Sequence, residues 1–224
     1  MMMERHFDDE LSRLKTDLIK MASLVEDSIR NAVHALKEQD ENLARSVVEK
    51  DNEIDEMENI IEENAIELLA LRQPMAADLR FITTGMKINA ELERIADLTV
   101  NVAYRAIEIA SQPLLKPLVD IPKLSEVARK MVKGAIDAFV EEDEALAREI
   151  ILTDPHANSL KSAVQEELVE YMKKDGSSAP RAVPLLLTAR HLERICDHAT
   201  NIAEDVVYMV RAKVVRHKKL DNGQ

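Results

Sequence analysis

A twelve-residue pattern that occurs twice in this chain limits its possible folds more than any other feature. Residues 92–103 read LERIADLTVNVA, and residues 192–203 read LERICDHATNIA. The shared pattern, L-E-R-I-x-D-x-x-x-N-x-A, is too dense to arise readily by chance in a chain of 224 residues. The chain therefore contains an internal repeat, and we expect both copies to form the same local structure.

Other segments extend this repeat over most of the chain. Residues 32–51 resemble residues 135–154 at an offset of 103, whereas the two copies of the pattern are 100 positions apart. The second half has therefore lost about three residues between these segments. We place the loss in the polar turn at residues 175–178.

Apolar residues recur every three or four positions through most of each half, which is the spacing of amphipathic helices. In the first half this spacing predicts helices over about residues 7–37, 43–72 and 75–107. Pro74 ends the second of these helices, because proline disfavours a helical conformation in the residue before it. The proline-rich residues 112–122 connect the two halves.

We therefore predict an all-α fold of two tandem antiparallel three-helix bundles, related by the internal repeat. The first bundle is assigned to residues 1–112 and the second to residues 118–224. Pro155 should kink or restart the fifth helix, with Asp154 as the N-cap. The basic residues 214–219 are expected to fray.

The charge and the apolar content narrow the range of functions. A formal net charge of -12 argues against nucleic-acid binding, because phosphate groups would be repelled. No apolar run is long enough for membrane insertion or a signal peptide. The single cysteine, Cys196, suits a reducing compartment. We expect a cytoplasmic protein.

Two acidic side chains in the repeated pattern are the best candidates for a binding site. On a helical wheel Glu93 lies inside the edge of the apolar face, Asp97 lies beside it, and Arg94 points outward. Like charges one turn apart repel each other, more strongly when they are partly buried. The same arrangement recurs at Glu193 and Asp197. These stripes are therefore expected to face a cation.

The second helix carries a similar acidic stripe that could face Glu93 and Asp97 across a seam. Its members all lie on one flank of the helix and are Asp51, Asp55, Glu58 and Glu62. Carboxylates without histidine or cysteine suit a hard cation such as Mg²⁺, Ca²⁺, Mn²⁺ or iron. The alternative is that these acids are solvated or form ion pairs, for example between Arg94 and Asp97. The sequence offers no catalytic nucleophile with a base, so no enzymatic activity is predicted.

The two copies of the pattern, together with RQPMAADLR at residues 72–80, resemble the PhoU family of phosphate-uptake regulators from about residue 7 to residue 211. The resemblance implies a cytoplasmic homodimer that negatively regulates phosphate uptake and the phosphate-starvation two-component response. It implies a non-catalytic adaptor between the ATPase of the phosphate ABC transporter and a sensor histidine kinase. A metal-binding or metal-storage bundle with metalloenzyme activity is the alternative.

The resemblance also implies a metal, such as iron, Mn or Mg, held by oxygen ligands, and no organic cofactor. The implied ligands are Glu93, Asp97, Glu193, Asp197, Asp51, Asp55, Asp154, Asn101 and Asn201. The second half departs from the first, because Asn158, Lys161 and Gln165 stand where the first half has acids. We therefore expect the site in the first half to bind metal more tightly.

Overall fold

The structure is a computed structural model that describes the backbone of residues 2–212 and the side chains of residues 7–212. This part of the chain forms α-helices and one short 3-10 turn, without β-strands. The helices are α1 (Met2–Glu38), α2 (Glu41–Arg72), α3 (Ala76–Ile109), α4 (Asp120–Glu141), α5 (Glu144–Lys174) and α6 (Ala179–Arg211). The predicted all-α class is confirmed.

The turn between the first two helices of each half is built in the same way. Asp40 accepts a hydrogen bond from the backbone N–H of Leu43 at 2.9 Å. Asp143 accepts two, from the backbone N–H groups of Ala145 and Leu146, at 2.8 and 3.0 Å. Each aspartate satisfies N–H groups that the first turn of a helix leaves unpaired. The residue before each aspartate is left-handed, with φ of 56° and 53°. The repeat offset of 103 is therefore present in the structure.

The two three-helix bundles share one hydrophobic core. Within each half the three helices pack against one another, and the halves meet along α3 with α6 and along α1 with α4. The buried apolar side chains form one continuous cluster that includes Cys196. Phe81 of α3 stacks on Phe139 of α4 with ring centroids 4.7 Å apart. Residues 110–119 connect the bundles, and the boundaries at residues 112 and 118 stay a prediction.

Two prolines do not act as the sequence predicts. Pro122 lies in the first turn of α4 rather than in the connector. Proline is tolerated there because the N–H groups of the first turn have no acceptor within the helix, so the missing N–H costs no hydrogen bond. Helix α5 continues through Pro155. The predicted restart is therefore wrong, and Asp154 is an interior residue of α5 rather than an N-cap.

The predicted position of the lost residues is also wrong. The turn before α6 is residues 175–178, which is no shorter than the turn at residues 73–75 before α3. Instead, Leu92 is the seventeenth residue of α3, whereas Leu192 is the fourteenth residue of α6. The second half thus lacks about one turn at the start of its third helix.

No helix within residues 2–212 is long and apolar enough to cross a membrane. The basic segment at residues 214–219, for which fraying is predicted, lies outside the described residues.

Candidate functional sites in the two halves

The repeated pattern lies in the middle of α3, where the core fixes the rotation of the helix. Leu92 and Ile95 are fully buried. The side chain of Glu93 is 18% exposed, whereas that of Arg94 is 63% exposed. Asp97, one turn after Glu93, is half exposed. The positions predicted by the helical wheel are confirmed, with Glu93 at the edge of the buried face.

The predicted acids of α2 and α3 face one another. We call them the first-half acidic cluster, which consists of Asp51, Asp55, Glu58, Glu62, Glu93 and Asp97. Burial, followed by the charges of Asp55 and Asp97, raises the pKa of Asp51 to about 6. Burial, followed by the charge of Asp97, raises the pKa of Glu93 to about 7, although Arg94 opposes the shift. Burial, together with repulsion along α3 and across the seam, therefore makes Asp51 and Glu93 hard to ionise.

Arg94 is the cation closest to this cluster in the described part of the chain. Its guanidinium lies 3.3 Å from Glu93 Oε2 and 3.3 Å from Asp97 Oδ2. The ion pair that the sequence offers as an alternative is therefore formed. One exposed guanidinium cannot neutralise six carboxylates, because solvent weakens such surface pairs. The cluster keeps an excess of negative charge.

The first-half acidic cluster offers the type of ligand atom that a hard cation prefers. It offers only oxygen donors, which suit Mg²⁺ and Mn²⁺ and can also bind iron. Asn101 donates its amide to the backbone oxygen of Asp97 at 2.9 Å, which leaves its side-chain oxygen available. Among the residues that the structure describes, no three His, Cys, Asp or Glu side chains are grouped closely enough to hold one ion. Coordination would therefore require these side chains to move together.

The equivalent acids in the second half have different neighbours. Lys161 Nζ of α5 lies 3.3 Å from Glu193 Oε1 of α6. Burial, followed by the charges of Glu193 and Asp154, raises the pKa of Asp197 to about 6. Asp154 Oδ2 accepts a hydrogen bond from Asn158 at 3.0 Å, while its Oδ1 is buried and has no hydrogen-bond partner among the described residues. An ammonium group is already paired with Glu193 and would repel a second cation, so this set fits a metal ion poorly.

A cleft of about 550 Å³ opens beside these acids between α5 and α6. We call it the second-half cleft. It is lined by Lys161, Gln165, Leu186, Arg190, Glu193, Arg194 and Asp197. Basic and acidic side chains therefore line the position at which the first half has almost only acids.

The contact between α3 and α6 contains polar pairs that the sequence analysis missed. His198 Nδ1 lies 2.5 Å from Glu91 Oε2, and Lys87 Nζ lies 3.1 Å from the buried Asp205 Oδ1. The amide of Asn201 also points to Glu91, at 3.4 and 3.5 Å from its two oxygens. Asn201, an implied ligand, therefore takes part in the packing of the two halves. The repeat gives no signal for these pairs, because neither recurs at the equivalent positions.

The fold and these clusters define an all-α protein of two three-helix repeats whose equivalent surfaces carry different charges. The PhoU domain family matches the chain twice, over residues 18–106 and 121–206. These two matches cover most of both bundles. The chain belongs to the PhoU family, as the resemblance of its repeated pattern indicates.

Relatives agree with the chain over nearly its whole length. A phosphate-specific transport system accessory protein PhoU homolog of Aquifex aeolicus is 40% identical over 94% of this chain and 96% of the relative. The crystal structure of PhoU from Pseudomonas aeruginosa superposes with a TM-score of 0.88 at 38% identity, covering 92% of this chain and all of that one. The phosphate transport system regulatory protein PhoU from Streptococcus pneumoniae gives a TM-score of 0.87 at 27% identity, covering 93% and 99% of the two chains.

Proposed function

We propose that this protein is an accessory regulator of a phosphate transport system. Its relatives of nearly equal length are named as accessory or regulatory proteins of such systems. It would act in the cytoplasm as a negative regulator of phosphate uptake and of the phosphate-starvation response. The observation that carries this proposal is the correspondence of both repeats, rather than one, with the PhoU family.

The proposed mode of action is that of an adaptor without catalysis. It would bind the ATPase of the phosphate ABC transporter and a sensor histidine kinase on different faces of the paired bundles. Long helices with charged outer faces offer several separate surfaces, and a net charge of -12 would speed association with basic partners. A homodimer would present each surface twice, and light scattering would report a mass about twice that of the chain.

A reporter of the phosphate-starvation response tests the regulatory role. Cells that lack this protein should express the reporter even in high phosphate, and the wild-type chain should restore repression. In parallel, purified protein should bind the purified transporter ATPase in a pull-down. Normal repression in the deletion strain, together with no binding to the ATPase, would rule out the adaptor.

A second candidate role is binding of a hard metal ion by the first-half acidic cluster. It is favoured by the ionisation behaviour of Glu93 and Asp51, whose pKa values rise to about 7 and about 6. A cation would relieve this repulsion and would be held by the oxygens of Asp51, Asp55, Glu93 and Asp97, with Asn101 as a neutral ligand. Iron, Mn and Mg are the metals to test.

Elemental analysis of protein purified without chelators tests the metal. Glu93→Gln combined with Asp97→Asn should abolish retention of iron or manganese. Glu63→Gln, an exposed acid on α2 outside the cluster, is the control. No metal in the wild-type protein would leave the acids as solvated or ion-paired groups.

The adaptor and a metal-storage or metalloenzyme role can be separated. If Glu93, Asp97, Glu193 and Asp197 are all replaced by alanine, an adaptor retains binding to the transporter ATPase. Metal-dependent turnover that disappears in this variant would instead favour an enzyme.

A further inference from the structure

Equivalent positions of the two halves carry different charges. Lys161, Gln165 and Arg190 of the second half stand at the positions of Glu58, Glu62 and Ala90 in the first. The first-half positions hold six carboxylates and one guanidinium, a formal charge of -5. Their equivalents hold three carboxylates, two guanidinium groups and one ammonium, a formal charge of 0. The second-half cleft has therefore lost the field that would repel an anion.

The two arginines of the second-half cleft have no ion pair within the part of the chain that the structure describes. In the first half, Arg94 lies 3.3 Å from both Glu93 and Asp97. In the second half, Glu193 instead pairs with Lys161 at 3.3 Å. Arg190 and Arg194 are one helical turn apart, so their Cβ atoms are about 6 Å apart and their guanidinium groups can converge on one ligand. Both line the same cleft.

We propose that the second-half cleft binds a tetrahedral oxyanion of the phosphate class. Arg190 and Arg194 donate paired N–H groups to its oxygens, and the amide of Gln165 donates from α5. Planar guanidinium groups match phosphate oxygens in pairs, and such bonds are about twice as strong as neutral ones. The ammonium of Lys161 adds positive charge and offsets the charge of Glu193, with which it pairs at 3.3 Å in the same cleft.

The size of the cleft allows two sources of the anion. A volume of about 550 Å³ holds a free phosphate with its water shell, or the phosphate of a larger molecule such as a nucleotide. Both present the same oxygens to the same arginines. The first-half acidic cluster has no such capacity, because Arg94 beside it is engaged by two of its carboxylates.

Equilibrium dialysis with radiolabelled inorganic phosphate tests the proposal, at physiological salt to screen the net charge. The wild-type chain should bind phosphate, and Arg190→Gln combined with Arg194→Gln should weaken binding at least about tenfold. Arg94→Gln is the matched control and should leave phosphate affinity unchanged. All three arginines are exposed, and a melting curve by circular dichroism checks that each variant folds.

Lys161→Glu combined with Gln165→Glu gives the cleft the acids of the first half and should also weaken phosphate binding at least about tenfold. Competition with AMP and with adenosine identifies the source. If AMP displaces the labelled phosphate no more tightly than unlabelled phosphate does, the ligand is free phosphate. If AMP displaces it more tightly than both unlabelled phosphate and adenosine do, the ligand is a phosphorylated metabolite. No binding of phosphate or AMP at millimolar concentration, an equal loss in Arg94→Gln, or equal competition by adenosine would overturn the proposal.

The outcome is separable from the adaptor role. A protein that binds phosphate but not the transporter ATPase keeps the anion site and loses the adaptor. A protein that represses the starvation response without binding phosphate keeps the regulatory role and loses the anion site.

Discussion

The two halves of this protein share a backbone plan but differ in what they offer to a ligand. Leu92 and Leu192 are both fully buried, and so are Ile95 and Ile195. The acids beside them are repeated too, but the helix packed opposite is not. Helix α2 faces them with four carboxylates, whereas α5 faces them with the ammonium of Lys161 and the single carboxylate of Asp154. The comparison teaches that the repeat preserves the residues that build the core, while the facing helix determines the charge of each site.

The contact between the halves breaks the repeat in a second way. Glu91 binds His198 and Lys87 binds Asp205 across α3 and α6. The equivalent positions hold His191 with Leu98, and Leu187 with Arg105. Burial and the nearby Arg105 lower the pKa of His191, so its neutral form is favoured there. At each of these two places, therefore, one pair of positions links the halves through a polar contact and the equivalent pair does not.

The largest expected effect on stability concerns the hydrophobic core that both halves share. Leu92→Ala and Leu192→Ala each remove a fully buried side chain and should each lower the free energy of unfolding by about 2–5 kcal/mol. Because the core is continuous, each variant should unfold in a single transition in urea. Two separate transitions would show that the halves are independent and would contradict a shared core.

The second-largest expected effect is a difference in metal affinity between the two halves. Glu93→Ala should weaken binding of Mn²⁺ or iron at least about tenfold, whereas Glu193→Ala should change it little because Glu193 is already paired with Lys161. Isothermal titration calorimetry with the metal measures the affinity of both variants. Equal losses would contradict the asymmetry between the two halves.

The same substitution should change stability at pH 8 in opposite directions in the two halves. Because the pKa of Glu93 rises from 4.5 to about 7 in the folded state, its ionisation costs stability as the pH rises through this range. Glu93→Gln should therefore stabilise the metal-free protein by about 1–2 kcal/mol at pH 8 and by almost nothing near pH 4.

Glu193→Gln is the matched variant and should destabilise the protein slightly at pH 8, because it removes the partner of Lys161. Urea unfolding with chelator present, at both pH values, measures the two variants. A stabilised Glu193→Gln would show that the lysine does not relieve the repulsion.

The smallest expected difference lies at the helix caps. Asp143 accepts two hydrogen bonds and Asp40 accepts one. Replacement by alanine should cost about 1 kcal/mol at Asp40 and somewhat more at Asp143. Thermal unfolding of both variants, with Asp9→Ala in α1 as an exposed control outside any cap, measures the difference. A larger loss at Asp40 would contradict the ranking.

The sequence determined the helices, the repeat and the acidic stripe of this protein. A period of 3.6 residues places Leu92, Glu93 and Arg94 on different faces of a helix whatever surrounds it. The same pattern failed to locate the missing residues of the second half. The three residues are missing at the start of α6, so the spacing of the apolar residues that remain is unchanged and carries no mark of the loss.

Only the tertiary structure decided which charges meet. The ion pair of Lys161 with Glu193 and the contact of Glu91 with His198 both join groups on different helices. Such contacts depend on how far each helix is rotated and shifted against its neighbour. That docking is set by the packing of side chains from several helices at once, which the period of a single helix does not contain.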